Sequence, residues 1–187
     1  LGWYSVRGWH AVDVAEDPQF EFRRFDATPT AERAEEDYRN EPNAFGWIVE
    51  IDPQDPHSIP IKRTALGRMA HEGLVFQPPR EGHPLVAYTG DDAPFEYLYK
   101  YVSRDPYRAT DAGGHLLDHG TLYVARFDAD GRGRWLPLRH GASALTWEDG
   151  FFDQGEVLIN TRLAADRVGA TPMDRPEWGA VHPQSRE

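Results

Sequence analysis

Charged side chains gather at the ends of short β-patterned runs between residues 45 and 103. A sheet presents its strand ends along one rim, and the loops at such rims often carry binding and catalytic groups. Carboxylates bind cations, whereas guanidinium groups bind anions. The pattern therefore predicts a rim that binds both kinds of ion, built from Arg63, Arg68, His71, Glu72, Asp91, Asp92 and Glu96.

The sequence Gly90-Asp91-Asp92 has two interpretations. Glycine and aspartate are common in turns for steric and hydrogen-bonding reasons, so the pattern alone favours an ordinary turn. Two adjacent carboxylates at a strand end can also bind Ca²⁺, which takes roughly six to eight oxygen ligands.

The pair His71-Glu72 does not complete a zinc motif. An HExxH helix needs a second histidine at position 75, where this chain has Val75. Spacing alone therefore predicts that the pair lies in a polar loop between strands.

Arg175 and Glu177 flank Pro176, which fixes the backbone just before a strand predicted at residues 177–182. Arginine can bind a phosphate through two parallel hydrogen bonds. In extended chain, residues two positions apart point to the same side, so Glu177 can face the same ligand. A surface ion pair is the alternative interpretation.

These residues require a scaffold of short strands. Alternating apolar residues and turn signals predict strands at 45–52, 59–64, 74–76, 85–89, 96–103, 120–127 and 133–138. The first two and the last two of these strands are predicted to form antiparallel hairpins. Short helices are predicted at residues 29–41 and within residues 147–169, and residues 1–26 are predicted to be irregular. Strands paired with their sequence neighbours predict an all-β antiparallel meander, either a sandwich or barrel or part of a β-propeller.

The composition limits the classes of partner. A formal net charge of −11 and a pI near 5.1 oppose binding to nucleic acid and to anionic membrane surfaces. The sequence has no apolar run long enough to span a bilayer. It starts at Leu1 without an initiator methionine, so we expect a piece of a longer protein.

Four blocks of the sequence resemble the PhoX family of bacterial alkaline phosphatases. In chain order they are NEPNAFGWIVEIDPQDPHSIPIKRTALGRMAHEG, LVAYTGDD, EYLYKYVS and MDRPEWGAVHP. The blocks follow the family's order, at approximately its spacing, between Asn40 and Pro183. The resemblance is therefore specific and extends over most of the chain.

The resemblance implies a fold and an activity. Residues 1–187 would be a single fragment of a six-bladed β-propeller, with an irregular lead-in at 1–43 and roughly two to three blades at 44–187. The protein would hydrolyse small-molecule phosphate monoesters as a monomer, after export through the twin-arginine route to the periplasm or the medium. Its implied cofactors are Fe³⁺ and Ca²⁺, held in a central cluster.

The same resemblance implies roles for individual residues. Glu72 and Glu177 are candidate metal ligands, and Arg175 is the catalytic group that binds the substrate phosphate. Asp91 and Asp92 are weaker candidates as calcium ligands.

One family feature does not occur in this sequence. The family holds an iron through a cysteine in an earlier block, and this chain has no cysteine. Either that block lies before Leu1 or this member lacks it; we expect the former, and we expect the isolated segment to be inactive. Surface or strand-edge roles are expected for Arg63, Arg68 and Glu96.

Two other functions remain open at this point. A calcium-dependent propeller lactonase or esterase also places carboxylates at its centre, but it does not need Arg175. A non-catalytic, calcium-stabilised propeller that binds a partner would show metal-dependent stability without turnover.

Overall fold

The structure, a computed structural model, describes residues 41–182. The chain divides into two compact units, residues 1–46 and residues 47–187. In the first unit the described residues form a 3₁₀ helix, Glu41–Ala44. The helix predicted at 29–41 and the irregular segment predicted at 1–26 lie outside the described residues, apart from Glu41 itself. The expectation of a single fragment with a lead-in stays a prediction.

An antiparallel meander dominates the second unit. The described strands are β1 (Val49–Glu50), β2 (Ile61–Lys62), β3 (His71–Phe76), β4 (Pro84–Asp91), β5 (Pro94–Glu96), β6 (Leu98–Pro106), β7 (Gly120–Phe127), β8 (Gly133–Pro137) and β9 (Met173–Asp174). Five of them form one sheet in the order β3-β4-β6-β7-β8, and every neighbouring pair is antiparallel. The predicted antiparallel meander is confirmed, and a six-bladed propeller remains a prediction.

The remaining strands form two small sheets. Strands β1 and β2 pair as the predicted antiparallel hairpin, although each contributes only two residues. The hairpin of β7 and β8 also forms as predicted, around the turn that follows Phe127. Strands β5 and β9 pair over a long sequence distance, with Pro94 opposite Asp174. This last pairing brings the segment that follows the helical stretch against the connection between β4 and β6.

Strand β6 shows why the sheet has one buried face. Tyr99, Tyr101 and Ser103 are buried, whereas Lys100 and Val102 between them are partly exposed. This alternation follows from the two-residue period of a strand. The aromatic side chains of β6 therefore supply the centre of the hydrophobic core.

Two helices pack on that core, within the stretch predicted to be helical. They are α1 (Gln154–Ile159) and α2 (Thr161–Val168). The side chain of Asp153 caps α1 by accepting a hydrogen bond from the backbone N–H of Glu156 at 2.8 Å. No helix within residues 41–182 is long and apolar enough to cross a lipid bilayer.

The polar loop predicted for His71 and Glu72 is wrong, because both residues belong to β3 and pair with Asp91 and Gly90 of β4. The turn favoured at Gly90-Asp91 is wrong for the same reason, since β4 continues through Asp91. Gly90 also pairs with Leu98 of β6 on the other side. Hydrogen-bonding partners in both neighbouring strands override the local turn preference of glycine and aspartate.

The strand predicted at residues 177–182 is also wrong, because these residues have no regular structure. Pro176 has no N–H to donate, and Pro183 restricts the backbone of the residue before it. Extended pairing occurs instead at β9, just before Pro176.

Candidate active site

A bulge in β3 positions Glu72. Glu72 pairs with Gly90 and Val75 pairs with Tyr88, so β3 advances one residue more than β4 between these pairs. Gly73 accommodates the extra residue with a left-handed backbone, φ 73°. A bulge bends its strand and redirects neighbouring side chains, and this one falls directly beside Glu72.

The segment that follows β9 crosses β4 at Gly90. A Cβ atom at Gly90 would lie 2.1 Å from the carbonyl oxygen of Pro176 and 2.9 Å from that of Glu177. Such distances are shorter than van der Waals contact, so only glycine permits this crossing. Because Gly90 pairs with Glu72, the crossing brings Glu177 to the strand pair that carries Glu72.

Glu72 and Glu177 line one cavity of about 260 Å³. Tyr88 and Trp178 also line this cavity and give it aromatic walls. The ring of Trp178 lies 3.6 Å from the position of a Cβ at Gly73, and 78% of this residue is exposed. The cavity thus combines two carboxylates with apolar surface. A larger cavity of about 480 Å³ elsewhere contains none of the predicted site residues.

Arg175 forms an ion pair with Asp92, adjacent in sequence to the cavity residues 176–179. Its Nη2 donates to Asp92 Oδ2 at 2.9 Å and lies 3.9 Å from Glu177 Oε1. The hydrogen bond to Asp92 raises the pKa of Arg175 above its ordinary value, and Coulombic attraction adds to the effect. Arg175 has φ 55°, a left-handed conformation that is disfavoured for a residue with a Cβ. Such backbone persists where the surrounding structure holds it, and it occurs often at functional sites.

Asp91 lies in a separate, buried ion cluster. Its two carboxylate oxygens accept hydrogen bonds from Arg162 Nε and Nη2, at 2.6 Å each. The backbone N–H of Ala70 donates to Asp91 Oδ1 at 3.0 Å, and Arg162 Nε lies 3.4 Å from Glu96 Oε1. Both oxygens of Asp91 therefore have protein donors. Calcium binding by Asp91 stays a prediction.

The surface roles expected for Arg63, Arg68 and Glu96 are wrong, since these residues are only 6%, 6% and 3% exposed. Glu96 does lie in an edge strand, because β5 belongs to a two-stranded sheet. Arg63 is neutralised by Glu50 and Asp118, at 2.8 and 2.7 Å. Arg68 donates to a backbone carbonyl of α1 at 2.8 Å, and its burial lowers its pKa to about 10. The sequence pattern could not reveal these roles because the partners lie far away along the chain.

The described residues offer part of a metal-ligand set. Residues 41–182 contain no group of three or more His, Asp or Glu side chains placed to hold a metal ion. Glu72 and Glu177 supply hard oxygen donors of the kind that Ca²⁺ binds, and they line the same cavity. Asp92 Oδ1 is buried and accepts no hydrogen bond from the described part of the chain. These donors fit a metal site that would need further ligands.

Sequence reasoning missed Gly90 and Trp178 as parts of this site. Local sequence favours a turn at Gly90, whereas the useful signal is a glycine at the end of an apolar run that enters the core. Trp178 follows Glu177 directly, so an aromatic residue beside a candidate ligand was visible in the sequence. Its place in the cavity depends on the crossing at Gly90, which only the fold shows.

The sequence and the fold both match known proteins. The sequence profile of the family described as alkaline phosphatase PhoX matches residues 10–187. Among solved structures, Pseudomonas fluorescens PhoX in complex with vanadate, a transition state analogue, has 49% sequence identity and a TM-score of 0.72. That match covers 80% of this chain and 27% of the other chain, so this chain spans about a quarter of that relative's length. No curated protein matches the chain. The chain belongs to the PhoX family of alkaline phosphatases.

Proposed function

We propose that the protein containing this chain is a metal-dependent phosphomonoester hydrolase that acts on small-molecule phosphate esters. Membership of the PhoX alkaline phosphatase family supports this function, as does the similarity to a PhoX that binds vanadate. The observation that carries the proposal is the guanidinium of Arg175, held by Asp92 next to the segment that lines the cavity with Glu72 and Glu177.

Arg175 binds the substrate phosphate in this proposal. A guanidinium has five N–H donors, so the bond to Asp92 leaves others for phosphoryl oxygens. The side chain of Arg175 is 55% exposed in this chain, and a ligand can reach it. Charge spreads over the equatorial oxygens in the transition state, and hydrogen bonds from Arg175 strengthen as that charge develops.

Glu72 and Glu177 hold metal ions in this proposal, with Asp91 and Asp92 as weaker candidates for calcium. Bound Fe³⁺ and Ca²⁺ supply Lewis-acid polarisation of the phosphoryl oxygens. Cations are required because the chain carries a net charge of −11 and the cavity carboxylates repel an anionic ester. This chain has no cysteine, so an iron-binding cysteine is proposed to lie in another part of the protein.

The proposal extends to the architecture and location of the whole protein. The sheet β3-β4-β6-β7-β8 is proposed to be part of a six-bladed β-propeller, and its antiparallel meander supports this because propeller blades are built from such meanders. We further propose that the protein acts as a monomer in the periplasm or outside the cell. A monomeric mass in solution and activity in the periplasmic or secreted fraction would support these two points.

A calcium-dependent propeller lactonase or esterase is the alternative enzyme class, and a non-catalytic calcium-stabilised propeller is the alternative binding class. The full-length protein should hydrolyse phosphate monoesters and leave lactones and carboxylic esters intact. Turnover of lactones alone would favour the lactonase, and metal-dependent stability without any turnover would favour the binding protein.

The substitution Arg175→Ala tests the proposed role most simply. In the full-length protein it should lower kcat/KM for a phosphate monoester by roughly a hundredfold or more, because a charged contact to the transition state is lost. Arg132→Ala is the matched control, since Arg132 is an 84% exposed arginine in the β7–β8 turn. If both variants retain wild-type turnover, Arg175 does not bind the phosphate.

A further inference from the structure

We infer that Asp92 is a positioning residue that holds the guanidinium of Arg175 in place for phosphate binding. This inference rests on the proposed function of Arg175. It gives Asp92 a different role from calcium ligation, because the carboxylate acts through a neighbouring side chain. The two roles predict different metal contents for Asp92 variants.

The topology brings the two residues together from distant parts of the chain. Asp92 lies just after β4, and Arg175 lies just after β9, 83 positions later in the chain. The pairing of β5 with β9 places Asp174 opposite Pro94. The pairing of β5 with β9 therefore places Arg175 beside Asp92, and Arg175 Nη2 donates a hydrogen bond to Asp92 Oδ2 at 2.9 Å.

The backbone around Asp92 is fixed on both sides. Its backbone N–H donates to the carbonyl oxygen of Ala70 at 3.1 Å. The backbone N–H of the next residue, Ala93, donates to the backbone carbonyl oxygen of Asp91 at 2.7 Å. The side chain of Asp92 is only 18% exposed, and its Oδ1 has no hydrogen-bond partner in residues 41–182. Within residues 41–182, Arg175 is the side chain that forms a hydrogen-bonded ion pair with the Asp92 carboxylate.

Arg175 needs such an anchor. Its side chain is 55% exposed, and a long flexible side chain loses rotamer freedom when it is ordered. Its left-handed backbone, φ 55°, also shows that the surroundings fix this residue. An anchored guanidinium binds the phosphate without a further loss of rotamer freedom. A small displacement of such a group can strongly lower the catalytic rate.

A double-mutant cycle in the full-length, metal-loaded protein tests this inference. Asp92→Ala should lower kcat/KM for 4-nitrophenyl phosphate by about tenfold and weaken vanadate inhibition. The kcat/KM of Asp92→Asn should lie between those of the wild type and Asp92→Ala, because asparagine keeps a hydrogen-bond acceptor. In the Arg175→Ala background, neither change should reduce turnover further, because the two residues act as one unit. Bound metal should equal that of the wild type. Asp130→Asn, at an exposed aspartate paired with Arg132, is the control that leaves turnover unchanged.

A second readout does not depend on activity. Phenylglyoxal modifies free guanidinium groups, so its rate at Arg175, followed by peptide mass mapping, should rise in Asp92→Asn. Three results would overturn the inference. The first is an unchanged rate of phenylglyoxal modification at Arg175, and the second is an equal effect of the Asp92 substitution in the wild-type and Arg175→Ala backgrounds. The third is loss of bound metal from Asp92→Asn. If Arg175→Ala alone leaves turnover intact, the proposed function of Arg175 fails, while the modification rate still decides whether Asp92 positions it.

Discussion

Asp91 and Asp92 are neighbours in the sequence, yet their carboxylates bind different partners. Asp91 is fully buried and takes two hydrogen bonds from Arg162, at 2.6 Å each, whereas Asp92 is bound by Arg175. Successive residues at a strand end face opposite sides, which explains the division. One carboxylate therefore stabilises the interior, and the other belongs to the candidate site.

The buried cluster leads to a prediction about stability. Arg162→Met should destabilise the full-length protein by ~3–5 kcal/mol, because it removes the guanidinium that pairs with the buried carboxylate of Asp91. Thermal unfolding followed by calorimetry measures the effect. Arg132→Met, at an exposed arginine, should shift the melting temperature very little. Equal shifts for the two variants would contradict the structural role of Arg162.

At the scale of single residues, the sequence offers candidate site residues but not their contacts. Arg175 and Glu177 are candidates from both the Arg-Pro-Glu pattern and the resemblance, and Arg175 Nη2 lies 3.9 Å from Glu177 Oε1. Glu72 shares a cavity with Glu177. The burial of Arg63 and Arg68 was not predictable, since a surface arginine and a buried paired arginine look alike in one sequence. Ion pairs between distant residues depend on the fold, which local patterns do not encode.

At the scale of elements, the crossing of β4 by the segment after β9 organises the site. It depends on Gly90, where a Cβ would lie 2.1 Å from the carbonyl of Pro176. Turn signals predicted the hairpin of β7 and β8 correctly, because such a hairpin is encoded by adjacent residues. The pairing of β5 with β9 was missed, because it joins distant segments of only two or three residues.

The crossing predicts a specific effect of Gly90→Ala. The added methyl group should displace the segment at Pro176, lower stability by about 1–3 kcal/mol and reduce phosphatase turnover. Thermal unfolding and kcat/KM measured on the full-length protein check both effects. Gly133→Ala is the matched control within a strand, because its Cβ would meet only Phe127 at 3.5 Å, an ordinary contact. A Gly90→Ala variant as active and stable as this control would contradict the crossing.

At the scale of the whole molecule, the chain carries only part of the proposed catalytic centre. It spans 27% of the chain of Pseudomonas fluorescens PhoX, and residues 41–182 hold no complete group of metal ligands. Antiparallel architecture was predictable from the meander pattern, whereas the proposed closure into a propeller would depend on contacts with other segments. In the proposed function, Arg175, Glu72 and Glu177 act together on a phosphate.

The decisive experiment is a crystal structure of the full-length protein with bound vanadate, in which anomalous scattering identifies the metals. Arg175 should donate a hydrogen bond of about 2.9 Å to a vanadate oxygen, and Glu72 and Glu177 should coordinate iron or calcium beside it. Vanadate bound away from Arg175, with Glu72 and Glu177 free of metal, would contradict the proposed function.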